Sequence, residues 1–274
     1  MNQLLKYDDI TKLFNTIQEE KPLVHHITTY VTATDSANTV LAFGGSPVMA
    51  DDPNEVEEMV SYANSLVLNI GTLSERRLEA MIKAGRKANE LNIPVCLDPV
   101  GVGATSFRKE AVKRIIEEVK LTVLKGNMSE IKSIYGLDAK TRGVDSTNHT
   151  IDGGVLIARK LALRLECVVA ITGSVDVISD GKSVFCIHNG HVLLESVTGT
   201  GCMTSSLIGV CLGTGYKPLQ CVLTGILTMS ISGEHAYKQL KPDEGLGSYR
   251  VRLMDAISNI TAQYLAGGRV DEIK

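Results

Sequence analysis

The apolar positions of this chain change period along its length, and each change marks an element boundary. From about residue 55, Val56, Met59 and Val60 in "EVEEMVSYAN" fall on one face of a helix. "SLVLNIG" then runs apolar without a break and stops at a glycine, as a strand buried on both faces does. "SERRLEAMIKAGRKANELN" returns to helical spacing, with Ser74 placed to cap its start. The alternation continues. "IPVCLDPVGVG" reads as strand and turn, "RKEAVKRIIEEVK" as an amphipathic helix, "LTVLKGN" as a strand, "GGVLIARKLALRLE" as a helix and "CVVAITG" as a strand. Strand, helix, strand at this interval predicts right-handed crossovers and a mostly parallel sheet.

After Thr172 the pattern shifts to short alternating runs. Asp180-Gly181 between "VDVIS" and "KSVFCI" predicts a two-residue hairpin, and Asn189-Gly190 a second. The sheet is therefore expected to end in an antiparallel meander. From Thr200 onward the spacing is helical, broken by a loop at "KPDEGLGSYRV". With no repeat, linker or low-complexity stretch, residues 1–274 are read as a single α/β domain.

Composition narrows the function. Aromatics make up 4% of the chain, Trp is absent and the formal charge is −3. Both points argue against base-stacking or basic nucleic-acid surfaces and favour a small soluble substrate. The six cysteines are scattered through apolar runs with no C-x-x-C pair, which gives no zinc-site or thioredoxin signal. Asp8 and Asp9 interrupt what a signal peptide would need to keep apolar. No apolar run reaches the roughly 18 residues of a spanning helix. A reducing cytoplasm without a membrane anchor is the expected setting.

In open parallel sheets ligands gather beyond the carboxyl ends of the strands. Those ends carry Asn69-Ile70-Gly71, Asp98-Pro99-Val100-Gly101, Lys125-Gly126-Asn127 and Thr172-Gly173-Ser174. Asp98 and Glu130 follow successive strands and would suit Mg²⁺, which takes one or two carboxylates together with water and phosphate oxygens. Each also has a plainer reading: Asp98 as a turn former before proline, Glu130 as a first-turn acid complementing the helix dipole. No G-x-x-x-x-G-K-[ST] loop exists, and "GVGATS" is only a partial dinucleotide fingerprint. "VTGTGCMTSSLIGVCLG" places glycines ahead of an apolar helix, as an anion-binding helix start does, with Cys202 at its mouth. A thiol there is expected to have a lowered pKa, although a free cysteine is also often plain packing. His25 and His26 suit structural or substrate-shaping roles, while His188 and His191 flank a predicted turn and are expected in solvent. Met49, in a predicted loop "GGSPVMADDP", is either core or a soft wall for an apolar heterocycle.

Six motifs, "GGSPVMA", "LDPVGVGAT", "KGNMSEI", "ITGSVD", "VTGTGC" and "GLGSYRVRLMDA", occur in the order and at about the intervals of the hydroxyethylthiazole kinases. The chain resembles that family over roughly residues 20–265. The resemblance implies a ribokinase-like fold, with helices on both faces of the sheet and antiparallel edge strands. It implies ATP-dependent phosphorylation of 4-methyl-5-(2-hydroxyethyl)thiazole in thiamine salvage, with Mg²⁺, in a homotrimer whose active sites lie at subunit interfaces. It places Met49, Gly199, Thr29, Tyr30 and Val31 at the thiazole, and Lys125, Asn127 and Thr172 at ATP. It places Asp98 and Glu130 at the metal, Gly199, Thr200, Gly201 and Cys202 in the anion hole, and Cys202 at the catalytic-base position. The chain departs from the family with Lys125 in place of Arg and Thr29 in place of Asn. The first loses a planar two-pronged phosphate contact. Rival readings are a hydroxymethylpyrimidine kinase, a nicotinamide-nucleotide hydrate dehydratase and a nucleotide-binding regulator without catalysis.

Overall fold

The apolar runs become strands of one sheet. In the computed structural model, which describes residues 7–136 and 151–273, the strands are β1 (Leu23–Ile27), β2 (Ser46–Met49), β3 (Ser65–Asn69), β4 (Val95–Asp98), β5 (Val123–Asn127), β6 (Val168–Thr172), β7 (Asp176–Ser179), β8 (Val184–Ile187) and β9 (Val270–Ile273). The helices are α1 (Tyr7–Glu20), α2 (Ala33–Phe43), α3 (Val56–Ser61), α4 (Glu75–Glu90), α5 (Ser106–Glu118), α6 (Met128–Tyr135), α7 (Ile151–Leu165), α8 (Leu193–Ser196), α9 (Thr200–Leu212), α10 (Pro218–Lys238), α11 (Leu246–Ser258) and α12 (Ala262–Ala266). The nine strands lie in the order β2-β1-β3-β4-β5-β6-β7-β8-β9. All pairings from β2 through β6 are parallel and those from β6 through β9 antiparallel.

Alternate residues of each parallel strand feed two cores. Val67, Cys96, Val123 and Val168 pack with α1, α2, α9, α10 and α11 on one face. Leu66, Leu97, Leu124 and Val169 pack with α3 to α7 on the other. Because both faces are covered, β3 and β4 are buried at every position, which is why they read as unbroken apolar runs. Ser74 does cap α4, accepting from the Arg77 N–H at 3.3 Å.

Four expectations need correction. The β7–β8 turn is not a two-residue hairpin at Asp180-Gly181: Ser179 stands opposite Val184, leaving four residues in the turn. Asp180 Oδ1 accepts from both the Lys182 and Ser183 N–H groups, which spreads the turn beyond the tight pair. Asn189-Gly190 closes no hairpin, since the second partner of β8 is β9, arriving from the far end of the chain. The stretch "GGSPVMADDP" is not all loop either, because Ser46–Met49 forms an edge strand on β1. His188 and His191 are half-buried rather than in solvent. The His188 ring lies 3.1 Å from Asp271, and that of His191 stacks on Tyr237 with centroids 3.7 Å apart.

Helix α9 has no polar face. It is buried continuously from Met203 to Leu212, between the sheet and α10. Glycines make that depth possible. A Cβ at Gly209 would stand 2.7 Å from a methyl of Val67, and one at Gly225 would stand 2.9 Å from the backbone nitrogen of Ile208. Gly225→Ala would gain about 1 kcal/mol of helix propensity. Ile208 cannot rotate its backbone away, however, and overpacking costs about 1–3 kcal/mol. Gly225→Ala should therefore lower the urea midpoint, and an unchanged or raised midpoint would show that α9 and α10 separate at little cost.

Candidate active site

The carboxyl ends of β4, β5 and β6, the first turn of α9 and residues 189–195 enclose one cavity of about 660 Å³. Asp98, Lys125, Asn127, Glu130, Thr172, Gly199, Thr200, Gly201 and Cys202 all line it. Nine of the residues singled out from sequence are thus brought together by folding.

The floor is a buried ionic junction. Asp98 is 1% exposed, and its Oδ2 accepts from the Ser205 hydroxyl at 2.7 Å, the Asn69 amide at 3.2 Å and the Lys125 ammonium at 3.5 Å. Lys125 also donates to the Gly201 carbonyl at 2.9 Å. Burial alone would push the Lys125 ammonium down. Asp98, backed by Cys202, Glu130 and Cys96, overrides it and holds the pKa above its usual value. The lysine therefore stays charged, at the same place where α9 opens its N-terminus.

Gly199, with φ +91°, is the N-cap of α9. A Cβ there would be both strained and 2.7 Å from the Thr32 methyl, so the position requires glycine. The Met203 N–H makes the first helical bond, to Gly199, which leaves the N–H groups before it at the open helix end. Thr200 contributes no hydroxyl to that end. Its Oγ1 turns back to the carbonyls of Leu194 and Val197, bracing the turn that leads in.

Cys202 differs from expectation. Its thiol pKa is raised, not lowered: burial dominates, Asp98 adds to it, and Thr32, Lys125 and Asn69 offset only part. The helix N-terminus does not prevail because the sulfur sits in a desolvated pocket beside a carboxylate. The Asn69 amide donates to Sγ at 3.2 Å.

Glu130 forms a capping box with Asn127, whose Oδ1 accepts from the Glu130 N–H. Glu130 returns the contact to the Asn127 N–H at 2.8 Å and takes the Gly101 N–H at 2.9 Å. The helix-start reading of this acid is realised in full, while the carboxylate still lines the cavity. Burial, with Asp98 adding to it, raises its pKa. Among the described residues no group of three or more His, Cys, Asp or Glu could hold a metal ion. Two mutually repelling carboxylates facing the same cavity do suit Mg²⁺ held mainly through phosphate and water oxygens.

Met49, Thr29, Tyr30 and Val31 do not line this cavity. They stand at the edge of the sheet beyond β1 and β2, with Tyr30 66%, Val31 73% and Met49 38% exposed. Thr32, which packs on Gly199, links the two regions. Thr29 is buried and shares a 2.8 Å hydrogen bond with Thr72. His25 and His26 are core histidines. The His25 ring meets the Ala50 carbonyl and the His26 ring meets the Ser206 hydroxyl, and burial pushes His26 down to about 4.

Sequence reasoning missed three contributors. Ser205 is one of three consecutive hydroxyl residues, Thr204-Ser205-Ser206, and nothing local sets it apart from its neighbours. Arg108, on α5, donates to the carbonyls of Ile70, Val100 and Gly71, tying together the loops after β3 and β4. Asp176 lines the cavity while accepting from the Gly173 N–H at 3.0 Å and from Ser230 at 3.5 Å. An acid opening an otherwise apolar strand, in "SVDVIS", was its available signal.

Comparison with known proteins adds an independent line. The model of the hydroxyethylthiazole kinase family matches residues 14–263. A hydroxyethylthiazole kinase of Alkaliphilus oremlandii is 57% identical, over 97% of this chain and 98% of its own. The structure of a hydroxyethylthiazole kinase protein from Pyrococcus horikoshii OT3 superposes with a TM-score of 0.88 at 36% identity, covering 97% of this chain and 100% of that one. An ADP complex of Bacillus subtilis pyridoxal kinase, 16% identical, matches with a TM-score of 0.59 over 81% of this chain and 93% of its own, which bears on the ribokinase-like fold alone.

Burial raises the Asp176 carboxyl from 3.8 to about 7. The folded state then holds a proton that the unfolded chain has released, so stability falls as pH rises from about 4 to about 7. Asp176→Asn cannot ionise. Its stability relative to wild type should increase between pH 5 and pH 8 in denaturant melts, and a pH-independent difference would mean that Asp176 ionises freely in the fold.

Proposed function

The chain belongs to the hydroxyethylthiazole kinase family, and on that premise we propose how its residues carry out the reaction. The enzyme transfers the γ-phosphoryl group of ATP to the hydroxyl of 4-methyl-5-(2-hydroxyethyl)thiazole, releasing ADP. The observation that carries the reading is the convergence of Asp98, Lys125 and the open end of α9 on one cavity.

Phosphoryl transfer passes through a loose transition state in which positioning and charge stabilisation supply most of the rate. The N–H groups at Gly199 to Cys202 and the helix dipole would cradle the equatorial oxygens of the transferring group. Lys125 would hold a phosphate oxygen as a point charge, with Thr172 and Asn127 flanking the nucleotide. Asp98 and Glu130 would hold Mg²⁺, which when bound neutralises phosphate charge. Asp98 also fixes Lys125 and, through Ser205, the first turns of α9.

Cys202 would stand at the base position, where its raised pKa leaves a minor thiolate fraction that accepts the hydroxyl proton and becomes the thiol as the new O–P bond forms and ADP leaves. In a loose transition state the hydroxyl proton leaves late, so a strong base is not required. The exposed Tyr30, Val31 and Met49, joined to Gly199 through Thr32, would form the thiazole side. Their exposure supports a homotrimer in which a neighbouring subunit completes the pocket. The six free cysteines are in keeping with a cytoplasmic setting. No described helix is long and apolar enough to cross a membrane. The continuous sheet is in keeping with one domain.

Two measurements test this. A coupled ADP-release assay should give turnover with the thiazole alcohol well above that with hydroxymethylpyrimidine or a sugar. Equal or greater turnover of the pyrimidine would overturn the substrate assignment. Cys202→Asp should keep or raise kcat by supplying a carboxylate. Wild-type kcat should rise with pH as the thiolate fraction grows, and that slope should vanish in Cys202→Ala. A Cys202→Ala enzyme with full kcat at every pH would leave the cysteine only a shaping role.

A further inference from the structure

The cavity wall opposite the strand ends is a segment with no sheet partners of its own. Asn189, Gly190, His191, Val192, Leu194 and Glu195 all face the cavity, between the end of β8 and the start of α9. Gly190 has φ +131°, and Asn189 is 6% exposed. Such a segment needs an external support, and one side of α10 supplies it. Ser230, Gly233, Glu234 and Tyr237 recur at helical spacing. Tyr237 stacks on His191, and Gly233 lets Leu194 approach so closely that a Cβ would meet it at 2.7 Å.

At the centre is Glu234, whose side chain is 18% exposed. Its Oε1 accepts from the Gly190 N–H at 2.9 Å, the Asn189 amide at 3.2 Å and the Arg269 guanidinium at 2.9 Å. Arg269 also donates to the His188 carbonyl, and its own N–H meets Asn189 Oδ1 at 2.6 Å. One carboxylate oxygen thus joins α10, the residue preceding β9 and the corner of the cavity wall.

We propose that Glu234 is a positioning residue for the nucleotide, acting through residues 189–195 and touching neither substrate nor the reacting atoms. This rests on the reading that ATP occupies the cavity. The Lys125 and α9 end takes the phosphates, which leaves the apolar side chains of Val192, Leu194, Ile226 and Met229 for the remainder of the nucleotide. Without Glu234 the Gly190 N–H and Asn189 amide lose their acceptor, and the wall is held by packing and by the Arg269 contacts to Asn189 and His188 alone. Nucleotide affinity then falls while the thiazole side, built from β1, β2 and the α2 loop, is unaffected.

The test is calorimetric titration of ADP into wild type, Glu234→Ala, Glu234→Gln and Arg269→Met, paired with the KM for the thiazole alcohol. Loss of a charge-assisted hydrogen bond predicts ADP binding roughly ten-fold weaker in Glu234→Ala. Glu234→Gln should recover part of the affinity, because its amide oxygen still accepts. Arg269→Met should weaken ADP less than Glu234→Ala, since two donors remain on the carboxylate. The KM for the alcohol should move less than about two-fold, because no lost hydrogen bond reaches that side. Should Glu234→Ala not fold, Glu234→Gln and Arg269→Met carry the test, each with ADP affinity lowered and the alcohol KM unchanged. ADP affinity equal to wild type in a folded variant overturns the proposal, as does an equal loss for ADP and alcohol. A wild-type enzyme that binds no ADP would overturn the nucleotide reading of the cavity itself.

Discussion

A carboxylate buried to 1% exposure has to be met by donors, and Asp98 draws them from three directions. Asn69 arrives from β3, Lys125 from β5 and Ser205 from α9, all on one oxygen. Breaking a buried charge pair by removing one partner costs roughly 3–5 kcal/mol, so these donors are held in place rather than free to wander. The lysine must lie beside β4, and α9 must descend with Ser205 toward the sheet. The helix N-terminus is thereby aimed at the space over the strand ends. The place where α9 opens over the cavity and the charge state of Lys125 follow from that junction, which also adds to the burial that raises the Cys202 thiol.

The fold was legible wherever burial imposed a period. The parallel strands from β3 to β6 and the helices between them read directly from apolar spacing, because each strand is covered on both faces. The antiparallel edge was legible in kind but not in detail. Asp180 spends its carboxylate on two N–H groups and lengthens its turn, while Asn189 and Gly190 bond to Glu234 instead of closing a hairpin. Glu234 lies 44 and 45 residues further along the chain, too far for local turn chemistry to reveal. β9 was invisible for the same reason, since "VDEI" alternates too briefly to declare an edge strand.

The site was legible at strand ends, where polar residues break apolar runs. It was not legible where a helix supplies one of three consecutive hydroxyls, as with Ser205, or where one arginine among many ties three carbonyls, as with Arg108. The thiol of Cys202 is the instructive miss. Sequence showed the helix start that favours a thiolate but not the neighbouring Asp98 and the desolvation that oppose it. Favourable and unfavourable terms came from different parts of the chain, and only the near one could be read.

The contacts that define the cavity span long stretches of sequence. Asn69 meets Cys202 across 133 residues, Asp98 meets Ser205 across 107 and Lys125 meets Gly201 across 76. Contacts so distant form only after the loop-closure entropy of the intervening chain has been overcome. During synthesis the residues of β1 to β6 are made before those of α9, so Asp98 and Lys125 precede the helix that covers them. A chain halted before residue 200 would carry Asp98, Glu130 and Lys125 yet lack the helix N-terminus that opens over them. In such a topology the cavity is complete only once a single late helix has docked.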